Sequence, residues 1–136
     1  MLDIFDILGP VMVGPSSSHT AGAVRIGRMA RTLLGAEVVR ADIGLHGSFA
    51  DTGRGHGTDR ALVGGILGYH PDDERIRDSF EYAKEAGLQF SFEENFTDKE
   101  IYPNTVDIYV KDENGNEMSL RGKSIGGGNA VITRLN

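Results

Sequence analysis

The sequence predicts an α+β protein (α/β in the broad sense), its helices packed on a mixed, mostly antiparallel sheet. Three observations carry that reading. Apolar residues recur at helical spacing from Ala23 through Ile26, Ala30, Leu33 and Leu34. Segments 88–93 and 105–111 alternate in the manner of strands. Asn114-Gly115 is a two-residue hairpin signal that pairs 117–121 back onto 106–111.

The elements follow in chain order. Residues 2–8 are a short apolar opening stopped by Gly9-Pro10, and Val11–Val13 leads into Gly14-Pro15-Ser16-Ser17-Ser18-His19-Thr20. The first helix comes next, with Arg25, Arg28 and Arg31 on its polar face, a hydroxyl cap at its start and Gly35 at its end. Residues 37–46 read as a strand entering a glycine-dense loop, 47–57. Thr58-Asp59 is expected to cap a second helix over 61–69, apolar nearly all round and therefore buried. A third helix opens at Pro71–Asp73, carries Ile76, Phe80 and Ala83 on one face, and ends at Gly87. The late hairpin is followed by a last strand, 124–135, that contains Gly126-Gly127-Gly128. A wide bulge in an edge strand is the expected use of that glycine run, since nothing helical follows it; the alternative is that it lets another backbone approach closely.

The chain has 136 residues, which bounds it to a single domain, 1–136. Acidic side chains outnumber basic ones 20 to 14, for a net charge of −6, so a partner rich in phosphate backbone is disfavoured and no nucleic acid is expected. No apolar run approaches the ~20 residues of a membrane span, and no signal peptide opens the chain. The expectation is a soluble, cytoplasmic protein without a membrane. The absence of Cys removes disulfides, thiolate zinc sites and any iron–sulfur cluster ligated from within.

Glycine is the compositional outlier: 19 residues, about 14% of the chain and roughly twice ordinary usage. Its concentration around 44–68 and at 126–128 marks backbone that turns tightly or comes close to something. At 14–20, three serines, a histidine and a threonine lead into a helix start, whose free N–H groups and partial positive charge receive a carboxylate or phosphate well. The same segment also reads as a capping loop that satisfies only its own backbone. His56 lies between Gly55 and Gly57 on a strand-to-helix connection, free to project into a cavity as a proton-transfer group, or merely exposed on a surface loop. His19, His46 and His56 together pose a zinc site, although none shows the helical i, i+4 spacing of paired ligands.

Five segments then coincide in order with one family: Gly14–Thr20 followed by Arg25 and Gly27, Gly-Ser-Phe-Ala at 47–50, Gly-His-Gly-Thr-Asp at 55–59, Pro-Asn-Thr at 103–105, and Ser-Ile-Gly-Gly-Gly at 124–128. The chain resembles, over essentially its whole length, the β chain of the iron–sulfur-dependent L-serine dehydratases (L-serine ammonia-lyases). Family β chains usually continue into an ACT-type regulatory domain, whereas this sequence ends at Asn136; Tyr102 stands where the family commonly carries His. The resemblance implies an allosteric-substrate-binding type of domain and a reaction of amino-acid catabolism, L-serine to pyruvate and ammonia, that feeds gluconeogenesis. It also implies a partner α chain whose cysteines hold a [4Fe–4S] cluster that binds the substrate hydroxyl.

Carried over onto this sequence, the resemblance implies that Ser16, Ser17, Ser18 and Thr20 bind the L-serine carboxylate. His56 is then the general base, and His19 its second choice or orienting partner. Asn104 holds the amino or carboxylate group, with Gly57 and Thr58 completing the substrate site and no metal ligated by this chain. A homodimer formed through the face that meets the α chain is the accompanying expectation. The rival reading is a non-catalytic regulatory module that binds a small carboxylate.

Overall fold

The computed structural model describes residues 18–46, 57–95, 105–126 and 129–135. Five strands form one sheet: β1 (Arg40–His46), β2 (Gln89–Asn95), β3 (Thr105–Lys111), β4 (Glu117–Gly126) and β5 (Asn129–Leu135), in the order β2-β1-β3-β4-β5. β1 pairs with β2 in parallel, and every other neighbouring pair is antiparallel. The predicted mixed, mostly antiparallel sheet is therefore what the chain forms.

Period-two alternation sorts the strand residues by face. Ala41, Ile43 and Leu45 of β1, Val106, Ile108 and Val110 of β3, and Met118 and Leu120 of β4 are buried on one side. Helix α1 (Ser18–Leu34) covers that side, and helix α2 (Thr58–Ile66) packs on α1 and on the segment after it. The other side of the sheet carries Asp42, Gly44, His46, Asp107, Tyr109, Ser119 and Arg121, which line an open concavity of about 450 Å³.

Several expectations are corrected. Helix α1 is not polar on its arginine face: it is buried without interruption from Ala21 to Gly27, and Arg25 is 4% exposed. Arg28 donates to the Gly68 carbonyl at 2.9 Å and Arg31 to the Ile66 carbonyl at 3.3 Å. Two guanidinium groups thus satisfy carbonyls at the C-terminal end of α2, where the helix dipole favours a cation. Burial, with Arg31 beside it, pulls the Arg28 guanidinium below its ordinary pKa.

Helix α2 also stops at Ile66 rather than 69, because Gly68 takes φ +97° and the Tyr69 N–H turns back to the Gly64 carbonyl. Its cap is Gly57, also at φ +97°, and not Thr58-Asp59. The third helix begins later than predicted. Asp73 caps a 3-10 turn, Glu74–Asp78, which hands over to α3 (Ser79–Ala86), ended by Gly87 at φ +81°. Finally, 124–135 is not one strand. Gly126 pairs with Asn129, so the chain reverses between them, and β4 runs through Gly126. The expected irregularity is present as register shifts at Arg121/Gly122 and Ser124/Gly126, in an interior strand and not at the edge.

Candidate functional site

The two helices cross at Gly27 and Gly65, and past the crossing Arg28 and Arg31 of α1 reach Gly68 and Ile66 at the C-terminal end of α2, so the helices run in the same sense. Their N-terminal ends therefore lie on one side of the crossing. The same side is the C-terminal end of β1, since the short connection 35–39 leads from the end of α1 straight into the start of β1. Register brings further motif flanks there. His46 opposes Thr105, Thr105 opposes Lys123, and Asn95 lies beside His46 on the parallel neighbour. The described residues that flank all five motifs thus gather at one end of the sheet, the place where an α/β-type layer commonly receives a ligand.

Of the residues expected at the site, Ser18 and His19 open α1, and Thr20 sits half-buried in its first turn. Gly57 is the α2 cap, and its left-handed backbone is one that residues with a side chain rarely adopt. Lacking a side chain, Gly57 brings no acceptor to the first N–H groups of α2. Thr58 is buried in the first turn, and beside it Asp59 is 3% exposed, with one carboxylate oxygen accepting the Arg60 N–H at 2.8 Å. Ser16, Ser17, His56 and Asn104 lie outside the described residues, as does Tyr102.

The sequence reading missed a cluster that crosses three strands on the open face. His46 Nε2 meets the Asp107 carboxylate at 2.8 Å, and Arg121 grips the same carboxylate with Nε at 2.6 Å and Nη2 at 3.0 Å. Partial burial alone would raise the Asp107 pKa. The hydrogen bonds from Arg121 and His46 outweigh it and hold the carboxyl below its ordinary value. His46 is nearly buried, its side chain 7% exposed, and its Nδ1 has no partner among the described residues. These three residues are 61 and 14 positions apart in the chain, so only the strand register unites them. Among the described residues no three His, Cys, Asp or Glu side chains are grouped to hold a metal ion, and no helix is long and apolar enough to cross a membrane.

Fold and site together define a class: an α+β domain with one open sheet face and its motif-bearing ends collected at one end of that sheet. Comparison with known proteins narrows the class. The family described as serine dehydratase beta chain matches residues 1–134, and the chain belongs to that family. It is 51% identical over 132 residues to the L-serine dehydratase beta chain of Peptoniphilus asaccharolyticus, covering 97% of this chain and 60% of that protein. It is 50% identical over 133 residues to the probable L-serine dehydratase beta chain of Bacillus subtilis (strain 168), covering 98% and 60%. The L-serine dehydratase of Haemophilus influenzae (strain ATCC 51907 / DSM 11121 / KW20 / Rd) is 32% identical over 151 residues, 94% of this chain and 33% of that one. The chain thus spans 60% of the length of the two beta chains it matches.

Proposed function

We propose that this chain supplies the substrate-binding and proton-abstracting part of an L-serine ammonia-lyase, acting with a partner α chain to form pyruvate and ammonia. One observation carries the reading: the flanks of all five family motifs converge on one end of the sheet, beside a helix start whose glycine cap contributes no side-chain acceptor. With relatives named L-serine dehydratase beta chain, the substrate assigned to that end is L-serine.

The carboxylate of L-serine belongs at the starts of α1 and α2. Ser16, Ser17, Ser18 and Thr20 at one, and Gly57 and Thr58 at the other, offer hydroxyl and N–H donors to an anion. Asn104, one residue before β3, adds an amide that can hold the amino or carboxylate group. His56, one residue before the α2 cap, takes the α-proton, with His19 as orienting partner. The α-proton is weakly acidic, so the donors on the carboxylate stabilise the charge that develops as it leaves. A [4Fe–4S] cluster does not fit this chain's own residues, since the chain has no Cys. The reading assigns the cluster to the cysteines of the α chain, and places the protein in the cytoplasm.

Anaerobic pyruvate formation from L-serine tests the assignment, with this chain alone and mixed with its cluster-bearing partner. Turnover is expected only in the mixture. His56→Ala is expected to lower kcat by about 100- to 10,000-fold and to change KM little, as for loss of a general base. Equal losses in kcat and in binding would overturn the base assignment. Saturable L-serine binding without turnover in the mixture would replace the proposal with a regulatory module.

A further inference from the structure

We propose that the open face of the sheet packs against the same face of a second copy of this chain, about a two-fold axis that runs parallel to the strands over β3. This contact is independent of the function proposed above.

Strand register places five residues of the open face in one cross-strand row: Glu93 on β2, Gly44 on β1, Asp107 on β3, Arg121 on β4 and Arg134 on β5. All five line the concavity. Most of the charge there is spent within the chain. Asp42 binds Arg40 and Ser91, and Asp107 binds Arg121 and His46. Glu93 and Arg134 are the exceptions, both exposed and neither with an ion-pair partner among the described residues. They are opposite charges at opposite edges of the sheet, four strand spacings or about 19 Å apart, so they cannot pair within one copy. β3 is the middle strand of the order. A two-fold axis along it lays β2 of each copy over β5 of the other, and so brings Glu93 to Arg134 twice. The same operation sets Arg121 of one copy over Gly44 of the other, a long side chain over a residue with none. Asp107 faces its own counterpart at the axis, each carboxylate held by the Arg121 of its own chain. Five strands of at least 7 residues present a face roughly 24 Å by 23 Å. Two such faces bury about 1,100 Å², just past the ~1,000 Å² that a specific interface needs. Both motif-bearing ends then point the same way.

Sedimentation velocity of the chain over roughly 1 to 100 μM reads the contact, and a dimer forming within that range is expected. Glu93→Lys and Arg134→Glu are each expected to weaken it about 10-fold or more, since either substitution sets like charges together at two symmetric places. The double variant restores opposite charges across the axis and is expected to return to within about threefold of the wild type. The two positions are too far apart to compensate inside one copy, so that rescue reports contact between copies. Because the chain has no Cys, Glu93→Cys combined with Arg134→Cys is expected to give a single disulfide-linked dimer on oxidation. A ladder of longer species would mean head-to-tail joining and would overturn the two-fold arrangement. A monomer throughout the range, single variants as tight as the wild type, or a double variant as weak as the singles would each overturn the proposal. So would a monomeric chain whose single variants weaken binding of the α chain, which would give this face to that partner instead.

Discussion

Asp112 shows how much one side chain can organise. It is 2% exposed at the start of the β3–β4 hairpin, where Oδ1 accepts the N–H groups of Asn114 and Asn116 and Oδ2 accepts the Asn116 side-chain amide, each at 2.9 Å. This is the side-chain-to-backbone bonding that makes Asp a turn residue, and it lets Gly115 take φ +88°. The Asn116 amide, and then the turn N–H groups, hold the Asp112 carboxyl below its ordinary pKa. The unfolded chain therefore takes up the proton first as pH falls. The stabilisation is complete above about pH 4, the unfolded value, and is lost as pH drops through the lower folded value. Asp112→Asn is expected to remove that acid-dependent component. In urea melts at several pH values, its midpoint should fall less between pH 5 and pH 2.5 than that of the wild type. An identical pH slope would show that the carboxylate does not stabilise the turn.

At the scale of elements, the α1–α2 crossing is set by two glycines. A Cβ on Gly65 would run into the Val24 carbonyl, and one on Gly27 into the Leu62 carbonyl. Backbone cannot move aside as a flexible side chain can, so the helices touch at main-chain distance only because both residues are glycine. Gly65→Ala, ordinarily favourable in a helix, is expected here to cost about 3 kcal/mol through overpacking, and Gly87→Ala serves as a comparison of pure backbone strain with open space around it. Denaturant titration that finds Gly65→Ala neutral would mean the helices can separate freely. The glycines of this crossing were visible in the sequence, but their purpose was not. Spacing identified the helices, whereas Gly27 and Gly65 meet only after both pack. The arginine face misled for the same reason, since Arg28 and Arg31 read as solvent-facing until α2 brings its terminal carbonyls to them.

For the molecule as a whole, what was legible tracks sequence distance. Asn114-Gly115 announced its hairpin because the whole signal fits in a few residues. The parallel pairing of β1 with β2 was not legible, because alternation describes a strand's faces but not its neighbour. The motif segments could be found by resemblance, yet the His46–Asp107–Arg121 cluster could not, since three strands must first align. Stability should follow the same architecture. Among the described residues β1, β3 and β4 are interior, while β2 and β5 are edges, so amide exchange is expected to be slowest at Ile43, Ile108 and Leu120 and faster along β2 and β5. Native-state hydrogen exchange checks this, and β2 amides as protected as those of β3 would contradict it.

The strand order has a consequence for how the chain assembles. β3, β4 and β5 are consecutive and antiparallel, so this meander closes through local loops. β1 is different: its partners β2 and β3 both lie far downstream, and it enters the sheet only by wedging between them. Closing such distant pairs costs loop entropy before any contact rewards it. The pairings of β1, the strand that ends in His46, accordingly close the longest loops in the sheet. The strand leading to the motif-bearing end of the sheet is thus the one whose place depends most on parts of the chain that come long after it.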